Sequence, residues 1–246
     1  MSSRLVVGLQ PVREAIRVHA DKLRVLVEGG PSPQLEALAR FAKDRGAEVE
    51  RVTRGDLDRA SKGGRHQGAI AYAPELRLVT LDELAAPSDT GPAAIVALDE
   101  IEDPQNFGAV VRSCVAIGAS GVLWPEHRSA PLSPAMFRAS AGAVEHAALC
   151  RVGALPAALE VLRARPMRVL GLDADGPAVI SDEDLTGDVV LVVGAEGKGL
   201  RKPVKKACDA LVRLPMRGPI ASLNASVAAG IALYEIVRQR AASEAP

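Results

Sequence analysis

The sequence predicts an α/β protein: a mostly parallel sheet covered by helices on both faces, preceded by a smaller α/β unit. Three observations predict it. From residue 93 onward, short apolar runs alternate with stretches of helical periodicity, the order that parallel strands and crossover helices produce. Hydrophobic residues make up 48% of the 246, enough to bury a sizeable core. Aromatics are scarce, three Phe, two Tyr and one Trp, so that core is built from Val, Leu, Ile and Ala.

Residues 1–74 read as the smaller unit, with a mild excess of basic over acidic side chains. "LRVLV" and "AEVERV" have strand character. "SPQLEALARFAKDRG" between them has helical spacing, with Ser32 near its start and Gly46 at its end. "HQGAIAYA" closes the unit as a further strand. Residues 75–92 bring Pro87 and Pro92 among small polar residues, the composition of a linker containing a short helical or extended piece.

The larger domain spans 93–246. "AAIVALDEI" reads as a buried strand and "NFGAVVRSCVAIGA" as a helix. "GVLWP" follows as a strand, and "SPAMFRASAGAVEHA" as one helix. "ALPAALEVLRARP" is a helix and "MRVLGLDA" a strand. "DVVLVVG" is the most apolar strand, and "ALVRLPM" the last. A final helix begins after "PIASLNAS". Open α/β sheets bind ligands beyond the carboxyl ends of their strands, so the loops after "IVALDEI", "VVLVVG" and "LVRLPM" are the place for chemistry.

Composition excludes several classes. Cys114, Cys150 and Cys208 lie far apart with no paired spacing, so neither a disulfide framework nor a metal site is expected. No run suits a signal peptide or a membrane span, which predicts a cytoplasmic chain with no membrane partner. Formal net charge is zero. Locally, Glu196–Arg217 holds Lys198, Arg201, Lys202, Lys205, Lys206, Arg213 and Arg217 against Glu196 and Asp209, a basic patch suited to phosphates. Cys114 and Trp124 read as packing residues.

The first loop, "EDPQNFGAVVRS", offers Asp103 or Asn106 as a helix cap, and Pro104 suits the first helical turn. Arg112 stands six residues past Asn106. A long helical side chain leans toward the N-terminus, so its guanidinium can reach back toward an anion seat there. The second loop, "VVGAEGKGLRKPV", is glycine-rich but is neither a phosphate loop of the Walker type nor a dinucleotide fingerprint: Leu200 follows the last glycine, and the glycines stand at 194, 197 and 199. Its distinctive residue is Glu196. A carboxylate is repelled by a polyphosphate but suits a neutral or cationic ligand, or an arginine partner. The third loop places Ser222, Asn224 and Ser226 before a helix of small and apolar residues. One cap explains one polar group, not three.

Together these loops resemble the SpoU/TrmH family of RNA ribose 2′-O-methyltransferases. The resemblance rests on Asn106 to Arg112, then "GAEGKG", then "RLPMRGPIASLNAS", in that order across roughly residues 93–240. "VVGLQPVREAI" and "DRASKGGRHQGAIA" resemble the ribosomal-protein-like (L30e-type) RNA-binding domain that many members carry. The resemblance implies a knotted methyltransferase domain at 93–246 with a deep trefoil knot, a substrate RNA-binding domain at 1–74, and a homodimer with its sites near the interface. It implies S-adenosylmethionine as methyl donor, held mainly by backbone at Gly194, Leu214 and Leu223. Catalytic or substrate roles carry over to Asn106, Arg112, Glu196, Ser222 and Asn224. The implied partner is RNA, with rRNA favoured and a guanosine of the large subunit as target. The same motifs serve members that modify tRNA, and a non-catalytic RNA-binding factor would keep the same fold.

Overall fold

The computed structural model describes residues 3–87, 91–219 and 222–243. Two compact units emerge. The described residues of Met1–Arg77 and Leu132–His146 form the first, and those of Leu78–Pro131 and Ala147–Pro246 the second. Leu132–His146, read from sequence as part of the larger domain, thus clusters with the first unit.

The first unit holds β1 (Ser3–Val7), α1 (Leu9–His19), β2 (Arg24–Glu28), α2 (Pro33–Asp44), β3 (Glu48–Val52), α3 (Arg54–Ala60) and β4 (Ala69–Pro74). Its four-stranded sheet runs β1-β4-β2-β3, antiparallel except for the β2–β3 pair. The strands at 24–28, 48–52 and 69–74 and the helix at 33–44 match the sequence reading; β1, α1 and α3 are additions to it. Thr53 caps α3 with a reciprocal bond from Asp56. Val6, Val25, Val27, Ala39, Ala42 and Ala71 build the core on the helix-covered face.

The stretch 133–147 is not the single helix expected. It is α6 (Pro134–Ala139) followed by a turn and one 3₁₀ turn at Ala143–Glu145. Left-handed backbone at Ala141 and Gly142 (φ 51° and 85°) ends the helix. A side chain at 142 would collide with Glu14 Cβ at 2.8 Å and Pro11 Cα at 2.9 Å, so the turn is pressed onto α1. Buried Arg4 pairs with buried Glu145 and lies over Phe137, 5.2 Å from Cζ to the ring centroid.

The second unit opens with α4 (Leu81–Leu84), the short helical piece expected in the linker, capped by Thr80 and Glu83. Residues 88–90 of that linker lie outside the described residues. Then follow β5 (Ala94–Asp99), α5 (Pro104–Ile117), β6 (Gly121–Pro125), β7 (Leu149–Val152), α7 (Leu155–Arg163), β8 (Arg168–Leu172), β9 (Ala178–Val179), β10 (Val189–Gly194), α8 (Lys202–Ala207), β11 (Ala210–Arg213) and α9 (Ala225–Ser243). The seven strands pair in parallel in the order β7-β6-β5-β10-β8-β11-β9. Every residue of β5, β6 and β10 is buried, as expected of parallel strands covered on both faces. Trp124 packs edge-to-face on Phe107 at 5.2 Å, and Cys114 is buried, both as read from sequence. α9 packs along α5. Residues 220 and 221, within the C-terminal part expected to form the knot, lie outside the described residues. Among the described residues no helix is long and apolar enough to cross a membrane.

Candidate active site

Parallel pairing puts the carboxyl ends of β5, β10, β8 and β11 on one side of the sheet, and the strand order sets them next to one another. Each leads into a loop. The Asp103 carboxylate at the end of the first loop accepts from the N–H groups of Gln105 and Asn106 at 3.1 and 3.3 Å, capping α5 with Pro104 in its first turn. This leaves the Asn106 side chain free to face the other loops.

Asn224 is where the loops meet. Its Nδ2 donates to Asn106 Oδ1 at 2.8 Å and to Glu196 Oε2 at 3.0 Å. Its Oδ1 accepts from Ser226 N at 3.0 Å, Ser226 Oγ at 2.6 Å and Val227 N at 3.4 Å. One amide thus caps α9 with its oxygen and joins two distant loops with its nitrogen. An amide has both functions; a carboxylate or a hydroxyl could not serve all of these partners. The sequence offered Glu196 a ligand or an arginine as partner; within the chain its carboxylate accepts from Asn224. Ser226, noted in the sequence only as part of a polar cluster, helps fix the amide's orientation.

Two cavities flank this junction. One, of about 180 Å³, is lined by Gly194, Glu196, Leu214, Ser222 and Leu223 among others, so all three predicted cofactor-contacting residues fall on it. Its walls are mostly apolar, from Leu172, Val193, Leu214, Leu223 and Ala225, with Gly194, Gly197 and Gly199 of the glycine-rich loop. Among the described residues its lining includes Glu196, which has no ion pair, and Asp173, which Lys205 pairs from outside the cavity, and no cationic residue. Such a cavity fits a flat heterocycle joined to a positive centre, and disfavours a polyphosphate. S-adenosylmethionine matches that description, with Gly194, Leu214 and Leu223 as the residues that would hold it. The second cavity, about 330 Å³, is polar, and Asn106, Asp103, Glu100, Glu196 and Lys198 line it. Glu196 and Ala195 border both.

Gly194 belongs where it is because nothing larger fits. A Cβ there would lie 2.3 Å from the carbonyl carbon of Gly199 and 2.6 Å from the nitrogen of Leu200, so the loop folds back directly onto the strand end.

The sequence reading missed two parts of the site. The loop after β8 lines the first cavity through Leu172, Asp173 and Ala174, though only three other loops were singled out. Asp99, at the end of β5, is fully buried. Its carboxylate accepts from Arg201 N at 2.8 Å and Arg201 Nε at 2.7 Å. The detectable signal was an acid closing an otherwise apolar strand. Next to it, the Arg128 guanidinium, hydrogen-bonded at 2.9 Å, and the charge of Arg201 hold the Glu100 carboxyl below its ordinary value.

The basic patch is partly internal. Arg201 is paired with Asp99, Lys205 with Asp173, and Arg213 donates to the carbonyls of Gly176 and Pro177. Lys198, Lys202, Lys206 and Arg217 remain exposed for a ligand. Arg112 is exposed on α5, lines neither cavity, and has no hydrogen bond or ion pair among the described residues.

Comparison with known proteins agrees with this geometry. Residues 93–234 match the model of the SpoU rRNA Methylase family, and residues 5–79 match that of the RNA 2′-O ribose methyltransferase substrate-binding domain. An uncharacterized tRNA/rRNA methyltransferase of Mycolicibacterium vanbaalenii is 43% identical over 97% of this chain and 77% of its own. The crystal structure of the SpoU methyltransferase AviRb from Streptomyces viridochromogenes with AdoMet superposes with a TM-score of 0.77 at 27% identity, covering 97% of this chain and 91% of that one. The AdoMet-bound rRNA methyltransferase of Sinorhizobium meliloti gives the same TM-score and identity over 96% and 87%.

Proposed function

Because this chain belongs to the SpoU rRNA Methylase family, and so is an S-adenosylmethionine-dependent RNA 2′-O-ribose methyltransferase, we propose that its target is a guanosine ribose of large-subunit rRNA, an activity of the RlmB type. The matching family model and the Sinorhizobium meliloti structure both carry rRNA in their names, which supports rRNA. The observation that carries the assignment of roles is the Asn224 amide, bonded to both Asn106 and Glu196 at the wall between an apolar and a polar cavity.

When bound, S-adenosylmethionine would supply an activated, sulfonium-borne methyl for the ribose 2′-hydroxyl. The chain's own residues bind, orient and steer. Gly194, Leu214 and Leu223 hold the donor in the apolar cavity. Glu196 borders both cavities and stabilises a positive centre nearby. Asn106 and Ser222 offer neutral donors and acceptors that orient the ribose without adding a second charge, and Asn224, whose own amide is fully engaged, holds Asn106 and Glu196 in place. Arg112 grips the phosphate adjoining the target and neutralises it. A guanidinium stays protonated, so the hydroxyl proton leaves through a phosphate oxygen or water.

Arg112 stands apart from the Asn224 junction within one chain. On α9, Val227, Ile231 and Tyr234 form an apolar stripe that is 48%, 45% and 64% exposed. That stripe, on a helix packed against α5, is the face proposed for a homodimer in which a second copy completes the site.

The test is to map ribose methylation in RNA from cells with and without the gene. Loss of one 2′-O-methyl guanosine in large-subunit rRNA supports the reading, whereas loss of a tRNA methyl redirects it. Arg112→Lys keeps the charge but not the fork. Near-normal turnover by that variant rules out a fork-specific grip.

A further inference from the structure

The first unit carries a surface that the chemistry of the site leaves unexplained. Between α1 and α2 lies a cavity of about 260 Å³ lined by Leu9, Gln10, Arg13, Gln34, Ala37, Leu38 and Phe41. Its floor is Phe41. The Cζ of Arg13 lies 5.5 Å from that ring's centroid and the Cζ of Arg45 lies 4.2 Å from it. Both arginines are exposed, and neither has a carboxylate partner among the described residues.

Two acids on the same helices are engaged. Glu14 is buried and takes Gln10, Arg17 and His146. Glu36 is paired with Arg51. Among the described residues no carboxylate lines the cavity.

Phe41 is unusual in this chain. Of the three phenylalanines, Phe107 and Phe137 are buried, while Phe41 packs against the core and keeps part of its surface in the groove. An aromatic surface beside two unpaired guanidiniums and two side-chain amides combines three things: a stacking platform, phosphate donors, and groups able to bond a base edge. An apolar protein partner would have no use for the two charges, and a duplex would offer no free base face.

We propose that the α1–α2 groove is a docking subsite for a single-stranded segment of the RNA substrate. One unpaired base stacks on the platform that Phe41 and the Arg45 guanidinium over its ring form together. Arg13 and Arg45 contact the flanking phosphates, and Gln10 and Gln34 meet the base edge. The proposal rests on RNA being the substrate, and concerns which part of the chain holds a strand away from the reacting ribose.

The test uses the full chain and fluorescein-labelled decauridylate, read by anisotropy from 50 to 200 mM KCl, with calorimetry of S-adenosylmethionine as the control for folding. Phe41→Ala is expected to weaken binding by about fivefold or more, the usual loss for one stacked base. Phe41→Leu keeps the packing volume but lacks the aromatic face, and loses binding comparably. Phe41→Trp restores it. Arg13→Ala and Arg45→Ala each lower affinity and flatten the salt dependence. The log–log slope falls by roughly 0.7 for each phosphate of a single strand that is no longer neutralised. S-adenosylmethionine affinity stays unchanged throughout.

Phe41→Leu and both arginine variants binding within twofold of wild type, at an unchanged salt slope, overturn the subsite. So does equal competition by an RNA duplex or by polyglutamate, the latter marking a surface for an acidic protein. A wild-type chain that methylates no RNA overturns the activity itself, a result separate from these.

Discussion

The buried carboxylate of Asp99 binds Arg201 through both its main-chain nitrogen and its guanidinium, at 2.8 and 2.7 Å. Asp99 ends β5 and leads into the loop that carries Asn106. Arg201 closes the loop that carries Glu196 and precedes α8. This single pair therefore ties together the two loops whose side chains Asn224 joins. Asp99→Asn keeps the shape but leaves Arg201 without its counter-charge. The expected cost is about 2–3 kcal/mol in urea unfolding, the lower end for breaking a buried pair because Arg201 is partly exposed. Turnover should fall more than S-adenosylmethionine affinity, because the two loops lose their mutual register before the apolar cavity is lost.

Asn224 has two roles that substitutions can separate. Asn224→Asp retains the oxygen that caps α9 but removes the Nδ2 donor and sets a carboxylate against Glu196. Stability should change little and kcat fall by roughly 10²-fold, the scale set by lost positioning. Asn224→Ala removes the cap as well and should cost about 1 kcal/mol besides. Circular dichroism melts beside steady-state kinetics separate the two, and equal stability losses in both variants would contradict the division of roles.

Gly194→Ala places a methyl 2.3 Å from one backbone atom and 2.6 Å from another, neither of which is a flexible side-chain end. The loop must move. We expect a stability loss of about 1–3 kcal/mol and S-adenosylmethionine binding weakened at least tenfold by calorimetry. Unchanged affinity would show that the loop's backbone does not shape the donor cavity.

The cysteines predict an alkaline limit. Burial pushes the Cys114 and Cys208 thiols up to about 12, and raises Cys150 as well. A thiol raised above its unfolded value, about 8.5, contributes stability that is intact below that pH and is lost as pH climbs toward 12. Urea midpoints should therefore hold to about pH 8 and decline above it, and Cys114→Ala should reduce that slope. Iodoacetamide at pH 8 should label the native chain slowly and all three thiols once it is unfolded.

Much of this molecule was legible residue by residue. The parallel sheet followed from apolar runs at β5, β6, β8, β10 and β11, because strands buried on both faces need no polar alternation. The three loops with chemistry were located by their position after those strands, and Gly194, Leu214 and Leu223 do line one cavity. Short-range patterning was misleading where backbone geometry intervened, as at 141–142, where two left-handed residues split the helix read over 133–147.

What the sequence by itself determined was the alternation of the main strands and helices, the apolar core and the residue types available at the strand ends, since these depend on local periodicity and burial. Tertiary structure alone decided which of those residues touch. Asn224 meets Asn106 across 118 positions of chain, and Asp99 meets Arg201 across 102. Such pairings are set by strand order in the sheet, which brings β5 beside β10 and leaves no trace in the spacing of residues along the chain.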